Sequence, residues 1–89
     1  NTFFGYQAGK GSVTSAPYGS GEHNTAVGHN TLLNISTGDG NAALGSYSGD
    51  AITSGENNTV LGYNTGGKIS TGDSNIIVGS ASTLTKYCS

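Results

Sequence analysis

The chain has no arginine, tryptophan or methionine, and it has a single cysteine and a single proline among its 89 residues. Positive charge comes only from Lys10, Lys68 and Lys86, so the chain lacks the basic surface that binds nucleic acid through its phosphates. No apolar run approaches the roughly 18 residues of a membrane span, so no transmembrane segment is predicted. Cys88 stands alone, which excludes an internal disulfide framework.

The abundant residues are small and polar. Gly, Ser, Thr and Asn make up more than half of the chain, whereas charged residues amount to 9%. Disordered segments usually combine a high net charge with few β-branched residues, but this chain has a formal net charge of only −2 and many Thr, Val and Ile. The composition therefore indicates an ordered chain that is rich in turns.

A pentapeptide of the form Asn-x-x-apolar-Gly occurs five times. The copies are NTFFG, NTAVG, NAALG, NTVLG and NIIVG, and they begin at residues 1, 24, 41, 58 and 75. Their spacing is 23, 17, 17 and 17 residues, and a Gly-acidic pair recurs with the same 17-residue period. The first unit is longer, and its six extra residues lie before Gly21, around SAPYGS. The repeat segment thus covers residues 1–82, and residues 83–89 form a tail that serves as a cap or linker.

Each unit predicts a strand around the pentapeptide, a bend of small residues, a shorter strand around ISTG or ITSG, and an acidic turn. No segment shows the i, i+3, i+4, i+7 pattern of an amphipathic helix. A fixed period of this kind is typical of solenoids, in which equivalent residues stack about 4.8 Å apart. We therefore predict an all-β fold, a parallel β-solenoid or β-roll of about five 17-residue coils.

Both faces of the predicted strand are apolar. Side chains alternate between the faces of a strand. One set is Phe4, Val27, Leu44, Leu61 and Val78, and the other is Phe3, Ala26, Ala43, Val60 and Ile77. One set can fill the core of the coil, but the other needs a partner. Closed symmetric homo-oligomers are the usual solution, and we predict a homotrimer.

Two further columns predict structural roles. The first residue of each pentapeptide is expected to join a ladder of stacked amides. This set is Asn1, Asn24, Asn41, Asn58 and Asn75. The glycine that ends each pentapeptide marks a bend or the close approach of another backbone. This set is Gly5, Gly28, Gly45, Gly62 and Gly79.

The units NTAVGHNTLLNISTGDG and NTVLGYNTGGKISTGDS and the opening NTFFGYQAG resemble the Asn-Thr-Ala-(Val/Ile)-Gly-Tyr-(Asn/Gln) repeats of phage tail-fibre and related bacterial surface proteins. They are more distantly similar to the Asn-Ser-(Val/Ala)-(Ala/Ile)-Gly repeats in the heads of trimeric autotransporter adhesins, which fold as trimeric left-handed parallel β-rolls. The resemblance implies a trimeric extracellular segment, on a virion or cell surface, that spaces or presents a receptor-binding surface. The long first unit and the TLTKYCS tail depart from the pattern, and nothing matches the protease residues of the self-cleaving chaperone domain that often follows such repeats.

The sharpest polar feature is an acidic column, Glu22, Asp39, Glu56 and Asp73. Like charges stacked about 5 Å apart repel one another, so these residues either lie on solvated turns or hold a cation such as calcium. Each turn offers one carboxylate and no Asp-x-Asp pattern, which favours solvated turns and predicts no cofactor. His23 and His29 could align on one strand face, but no third ligand lies at a short spacing, so no metal site is predicted.

Catalysis is not predicted. The stretch GDGNAALG lacks the Lys-Ser/Thr ending of a phosphate-binding loop and no helix follows it. No unit breaks register to build a cleft with paired carboxylates. The chain is therefore not expected to be an enzyme.

Candidate receptor contacts are Tyr6, His29 and Tyr63, at the sixth position of their units, and Pro17 and Tyr18 in the inserted loop. Insertions in repeat proteins map to loops on one face, often the binding face, and Tyr offers a stacking plane with a polar tip. The alternative is that the sixth position simply packs. Asn34-Ile35-Ser36 and Asn57-Asn58-Thr59 fit the glycosylation pattern, which arises readily in a chain rich in Asn and Thr.

The sequence thus predicts a structural and adhesive segment of an extracellular trimeric fibre, from a phage tail fibre or a cell-surface adhesin, with a glycan or receptor on a cell surface as its partner. Two alternatives stay open. A monomeric ice-binding β-solenoid would use rows of hydroxyls, although Ala42 and Ile76 interrupt the column of threonines. A polysaccharide-processing β-helix would need a catalytic site.

Overall fold

Five parallel strands form one sheet in the computed structural model, which describes residues 1–11, 20–67 and 69–79. The strands are β1 Thr2–Phe4, β2 Thr25–Val27, β3 Ala42–Leu44, β4 Thr59–Leu61 and β5 Ile76–Val78. They pair in chain order, and each pairing sets equivalent positions of consecutive units side by side, such as Thr2 with Thr25. The prediction of an all-β, parallel β-solenoid is confirmed.

The solenoid has about three turns, so the predicted count of five coils is wrong. Each strand opens a unit, but only units 24–40, 41–57 and 58–74 run at the 17-residue period from one described strand to the next, residue 68 excepted. The first unit passes through residues 12–19, and the last unit and the predicted tail include residues 80–89, all outside the described residues. Counting strands therefore overstates the number of complete turns.

The second strand predicted in each unit does not form in the described coils. Ser36 and Gly38 both donate their backbone N–H groups to the carbonyl of Thr53, at 2.9 and 3.1 Å. Thr53 and Gly55 donate in the same way to Ser70, at 2.9 and 3.2 Å. Because two donors share one carbonyl, the chain bends here instead of continuing as an extended ladder. Hydrogen bonds still join the coils on this side.

The core lies between the strands and the opposite side of each coil. Its buried apolar residues are Ala26, Leu32, Ile35, Ala43, Ile52, Val60, Ile69 and Ile77, with Phe3 and Ala8 packed against them. Large and small residues compensate for one another, since the Phe3 ring fills the space beside Gly9. Leu32 occupies the position where the next two units have Gly49 and Gly66. Its φ of 48° is left-handed, which is unfavourable for Leu, but its side chain fills space in the close-packed core and this packing offsets the cost.

A glycine follows each strand because the coils approach closely at that corner. Gly45 has a φ of 125°, and a Cβ added there would lie 2.5 Å from the carbonyl oxygen of Gly62. No side chain fits at that distance, and the backbone conformation itself favours glycine. Gly5, Gly28 and Gly62 share this conformation, whereas Gly79 has open space around it.

Candidate functional site

The outward face of the sheet is an uncharged strip. The first and third residues of each strand point outward, and they are Thr2, Phe4, Thr25, Val27, Ala42, Leu44, Thr59, Leu61, Ile76 and Val78. Phe4 is 74% exposed and Leu44 is 50% exposed, whereas the central residue of each strand points into the core. The second apolar face predicted from the sequence is therefore open to solvent in the single chain. Contiguous apolar surface of this kind marks interaction sites.

The strip has two parallel columns, one from the first residue of each strand and one from the third. We call the third strand residues, Phe4, Val27, Leu44, Leu61 and Val78, the ridge, and the first strand residues, Thr2, Thr25, Ala42, Thr59 and Ile76, the furrow. Ala42 is the smallest furrow residue, and it is one of the residues that line an apolar depression in the strip. The depression is lined by Thr25, Val27, Leu44, Thr59 and Leu61, and it reaches Ala43 and Val60 below.

Four aromatic rings form a second surface, beyond the corner glycines. Tyr6 stacks on His29 with ring centroids 5.2 Å apart and an interplanar angle of 10°. His29 meets Tyr47 edge-on at 5.5 Å, and Tyr47 meets Tyr63 edge-on at 6.3 Å. We call these four residues the aromatic column. It brings together the three sequence-predicted contact residues Tyr6, His29 and Tyr63, and Tyr6 and Tyr63 are among the most exposed large side chains of the described segments.

Tyr47 is the member of this column that the sequence reasoning missed. It occupies the seventh position of its unit, where the other described units have Gln7, Asn30 and Asn64, and all four residues have a left-handed φ. That conformation suits Asn and is less favourable for Tyr. Because the sixth position of this unit is the small Ser46, Tyr47 supplies the ring that joins His29 to Tyr63. The reversed order of polar and aromatic residues was the available signal.

The acidic column lies on exposed turns. The backbone N–H of Glu22 donates to Asp39 Oδ1 at 2.7 Å, and that of Glu56 donates to Asp73 Oδ1 at 2.8 Å. The shorter acid of each pair thus receives a charge-assisted hydrogen bond from the neighbouring coil. Within residues 1–11, 20–67 and 69–79, no group of three or more His, Cys, Asp and Glu is arranged to hold a metal ion.

The two histidines make separate contacts. Strand β2 covers only Thr25–Val27, so it does not extend from His23 to His29 as an aligned pair would require. His23 lies in the acidic turn, where its Nε2 is 3.8 Å from Glu22 Oε2 and both side chains are highly exposed. A contact between two side chains so open to water contributes little to stability. His29 instead belongs to the aromatic column.

A ladder of asparagine amides joins the coils from within. Asn41 donates its backbone N–H and its Nδ2 to Asn24 Oδ1, at 2.9 and 3.1 Å, and Nδ2 also donates to the Gly55 carbonyl at 2.7 Å. Asn58 repeats this arrangement one coil further on, and Asn1 and Asn75 take part at the two ends. Buried amides need such partners, and here the partners lie in the adjacent coils.

A row of hydroxyl residues, which we call the hydroxyl row, lies on the bent side of the coils and consists of Ser36-Thr37, Thr53-Ser54 and Ser70-Thr71. Hydrogen bonds between coils occupy part of this row. Ser36 Oγ donates to the Thr53 carbonyl at 3.2 Å, and Thr53 Oγ1 lies 3.2 Å from Ser70 Oγ. Their neighbours Thr37, Ser54 and Thr71 are exposed. The row therefore holds the coils together as well as facing water.

The remaining sequence-derived sites are only partly described. Pro17 and Tyr18 lie outside the described residues. Asn34 is exposed and its Nδ2 donates to the Asp50 carbonyl at 2.7 Å, and Asn57 is exposed with a left-handed φ of 57°.

Burial raises the pKa of the Asp50 carboxyl above its ordinary value, because the loss of hydration favours the neutral form.

No helix in the described part of the chain is long and apolar enough to cross a membrane. No protein-family model, no curated protein and no solved structure matches this chain.

Proposed function

We propose that this chain is a structural and adhesive segment of an extracellular trimeric fibre, on a virion or a cell surface, that spaces or presents a receptor-binding surface. The observation that carries the proposal is the uncharged apolar strip on the outward face of the five strands. Such a surface is a liability for a monomer, and it is removed from water when identical chains associate. The stacked coils behind the strip supply the stiff rod that a fibre needs.

The aromatic column supports the adhesive part of the proposal. Tyr combines a flat apolar ring with a hydroxyl that hydrogen-bonds, which suits contact with the faces and hydroxyls of a neutral glycan. Tyr6 and Tyr63 are 67% and 60% exposed, so both rings are available to a ligand. Three copies of the column in a trimer would turn weak single contacts into useful avidity.

A catalytic role is not part of the proposal. The five strands keep one register from β1 to β5, with equivalent residues paired at every step. A cleft for a polysaccharide would need a break in that regular surface. The arrangement therefore favours a scaffold over a polysaccharide-processing enzyme.

The solution mass of the chain tests the proposal. Light scattering after size exclusion, over a range of concentrations, is expected to show a species near three times the 8.8 kDa chain mass. Leu44→Lys places a charge in the strip and is expected to give a monomer with an unchanged far-ultraviolet circular dichroism spectrum. Thr37→Lys adds the same charge on the exposed hydroxyl row and should leave the trimer intact.

A folded wild-type monomer at all concentrations would contradict the trimeric fibre. It would direct attention to the ice-binding alternative, which a thermal-hysteresis assay on the same sample decides. Equal dissociation by both lysine variants would show that added charge acts generally and not through the strip.

A further inference from the structure

We infer that the ligand of the aromatic column is an extended, uncharged polysaccharide chain that lies along the column, parallel to the axis of the solenoid, with one sugar ring to each aromatic ring. This inference rests on the adhesive part of the proposed function, which supplies a neutral glycan as the ligand. It adds the shape of that glycan, the direction in which it lies and the number of its sugars that make contact.

The column is continuous over four consecutive units of the repeat. From Tyr6 to Tyr63, neighbouring ring centroids lie 5.2, 5.5 and 6.3 Å apart. At these distances the rings contact one another, so no sugar fits between them and a ligand lies across their exposed edges and faces. A glycan that crossed the column at right angles would meet one or two rings, whereas a glycan that runs along the column meets all four.

The backbone beneath the rings holds them in a fixed row. The N–H of Tyr47 donates to the His29 carbonyl and the N–H of Asn30 donates to the Tyr6 carbonyl, both at 2.8 Å, so each contact joins one coil to the coil before it. Adjacent coils therefore set the ring positions at steps of about 4.8 Å. Pyranose rings in an extended chain recur at nearly the same spacing, so successive sugars can meet successive aromatic rings. A row that exists before binding also loses little conformational freedom when the ligand binds.

The surroundings of the rings select an uncharged ligand. The fifth to eighth positions of these four units contain no Asp, Glu, Lys or Arg. They provide instead the partly exposed amides of Gln7 and Asn64, which follow Tyr6 and Tyr63 in the chain and can donate to and accept from sugar hydroxyls. A carboxylated sugar would lose hydration at this surface and meet no cation at these positions.

A series of oligosaccharides of increasing length tests the inference. Cellobiose, cellotriose and cellotetraose are straight, neutral chains that grow by one sugar at a time. Nuclear magnetic resonance titration of the wild-type chain is expected to show affinity that rises with each sugar, with cellotetraose bound at least about ten times more tightly than cellobiose. Maltotetraose contains the same sugars but coils, so it is expected to bind about as weakly as cellobiose.

Tyr47→Asn interrupts the column at its third ring. Asn is the residue that the units on either side have at this position, and it suits the left-handed φ of 60° better than Tyr does, so the variant is expected to fold. It should bind cellobiose like the wild type, through the intact pair of Tyr6 and His29, and gain less than about twofold from the two further sugars of cellotetraose. Tyr47→Phe keeps the ring without the hydroxyl and should keep the dependence on length.

Affinity that does not change with length, or equal binding of cellotetraose and maltotetraose, would overturn the inference while leaving a glycan-binding fibre in place. A dependence on length that survives Tyr47→Asn would place the ligand away from the column and overturn it as well.

Absence of binding by the whole cellulose-type series would also overturn the inference. Immobilised neutral glycans of other shapes then decide the adhesive part of the proposed function, because their binding would leave that part standing. One chain carries the whole column, so these outcomes are separate from the number of chains in the assembly, which the solution mass decides.

Discussion

Asp50 illustrates how a single side chain in this sparsely charged molecule couples stability to pH. Partial burial raises the pKa of its carboxyl above the ordinary 3.8. Folding therefore favours the protonated form of this group. Its contribution to stability is fully present at low pH and is lost as the pH rises through the folded-state pKa.

Asp50→Asn is accordingly expected to raise the free energy of unfolding at pH 7, because the amide has a similar shape and carries no charge. Near pH 3 the carboxyl is mostly protonated in both folded and unfolded chains, so variant and wild type should unfold at similar urea concentrations. Urea unfolding curves between pH 3 and pH 7 measure the difference. A gain of the same size at both ends of this range would point to amide contacts instead of ionisation.

Single positions also show which structural roles can be predicted from the sequence and which cannot. The inward strand residues and Ile35, Ile52 and Ile69 are predictable from their period, and all but Phe3 of these eight are buried. Leu32 and Tyr47 are not predictable in this way, because each adopts a left-handed backbone that its residue type does not announce. For both residues, contacts with neighbouring coils offset the cost of this backbone conformation. The Leu32 side chain fills the core, and the Tyr47 ring contacts His29 and Tyr63.

At the scale of the elements, the asparagine ladder links one coil to the next in addition to the pairing of the short strands. Asn58 is fully buried, donates to Asn41 Oδ1 and the Gly72 carbonyl, and accepts from Asn75. Asn58→Ala is expected to lower the free energy of unfolding by about 2 to 4 kcal/mol, since several buried partners lose their hydrogen bonds. Chemical denaturation of the two proteins measures this loss.

Asn34→Ala is the matched control for the same chemical change at the surface. Asn34 is exposed and makes one hydrogen bond, to the Asp50 carbonyl, so its replacement is expected to cost about 1 kcal/mol or less. Equal losses of unfolding free energy for the two variants would mean that burial of the asparagine ladder makes no extra contribution to stability.

The elements divide into those that repetition predicts and those that it does not. The pentapeptide strands form at the expected places because their apolar alternation and corner glycines recur in every unit. The ISTG segments carry similar strand-forming residues, yet Ser36 and Gly38 share one acceptor and bend. That sharing depends on the path of the neighbouring coil, which a single unit does not encode.

At the scale of the whole molecule, adhesion is expected to need both the aromatic column and the assembled state. Tyr63→Ala removes an exposed ring from the end of the column, and it should weaken binding to immobilised glycans by about tenfold or more, since the loss is repeated in each chain of a trimer. Binding of the variant and the wild type to a panel of neutral glycans measures this effect.

Thr71→Ala is a suitable comparison, because Thr71 is exposed on the hydroxyl row away from the aromatic column. It should leave both binding and solution mass unchanged. Glycan binding that survives in Tyr63→Ala, or that both variants lose equally, would remove the aromatic column from the adhesive proposal.

The assembled state is the part of the molecule that the repeat alone does not define. The sequence reveals two apolar faces, and the structure shows one of them buried in the core and the other exposed. The number of copies that cover the exposed face depends on the angle between the strips of neighbouring copies. The repeated residues of the sequence do not determine that angle. The sequence also marks unit starts and not completed turns, which is why the coil count was too high.

Among the described strands, each strand contacts only the strands before and after it in chain order, from β1 to β5. A gene encoding such a chain can gain or lose one whole unit by in-frame duplication or deletion without changing any surviving contact except at a single junction. Each such event would alter the length of the rod by one step of about 4.8 Å. The number of units can therefore change the length of the rod during evolution while its cross-section stays the same.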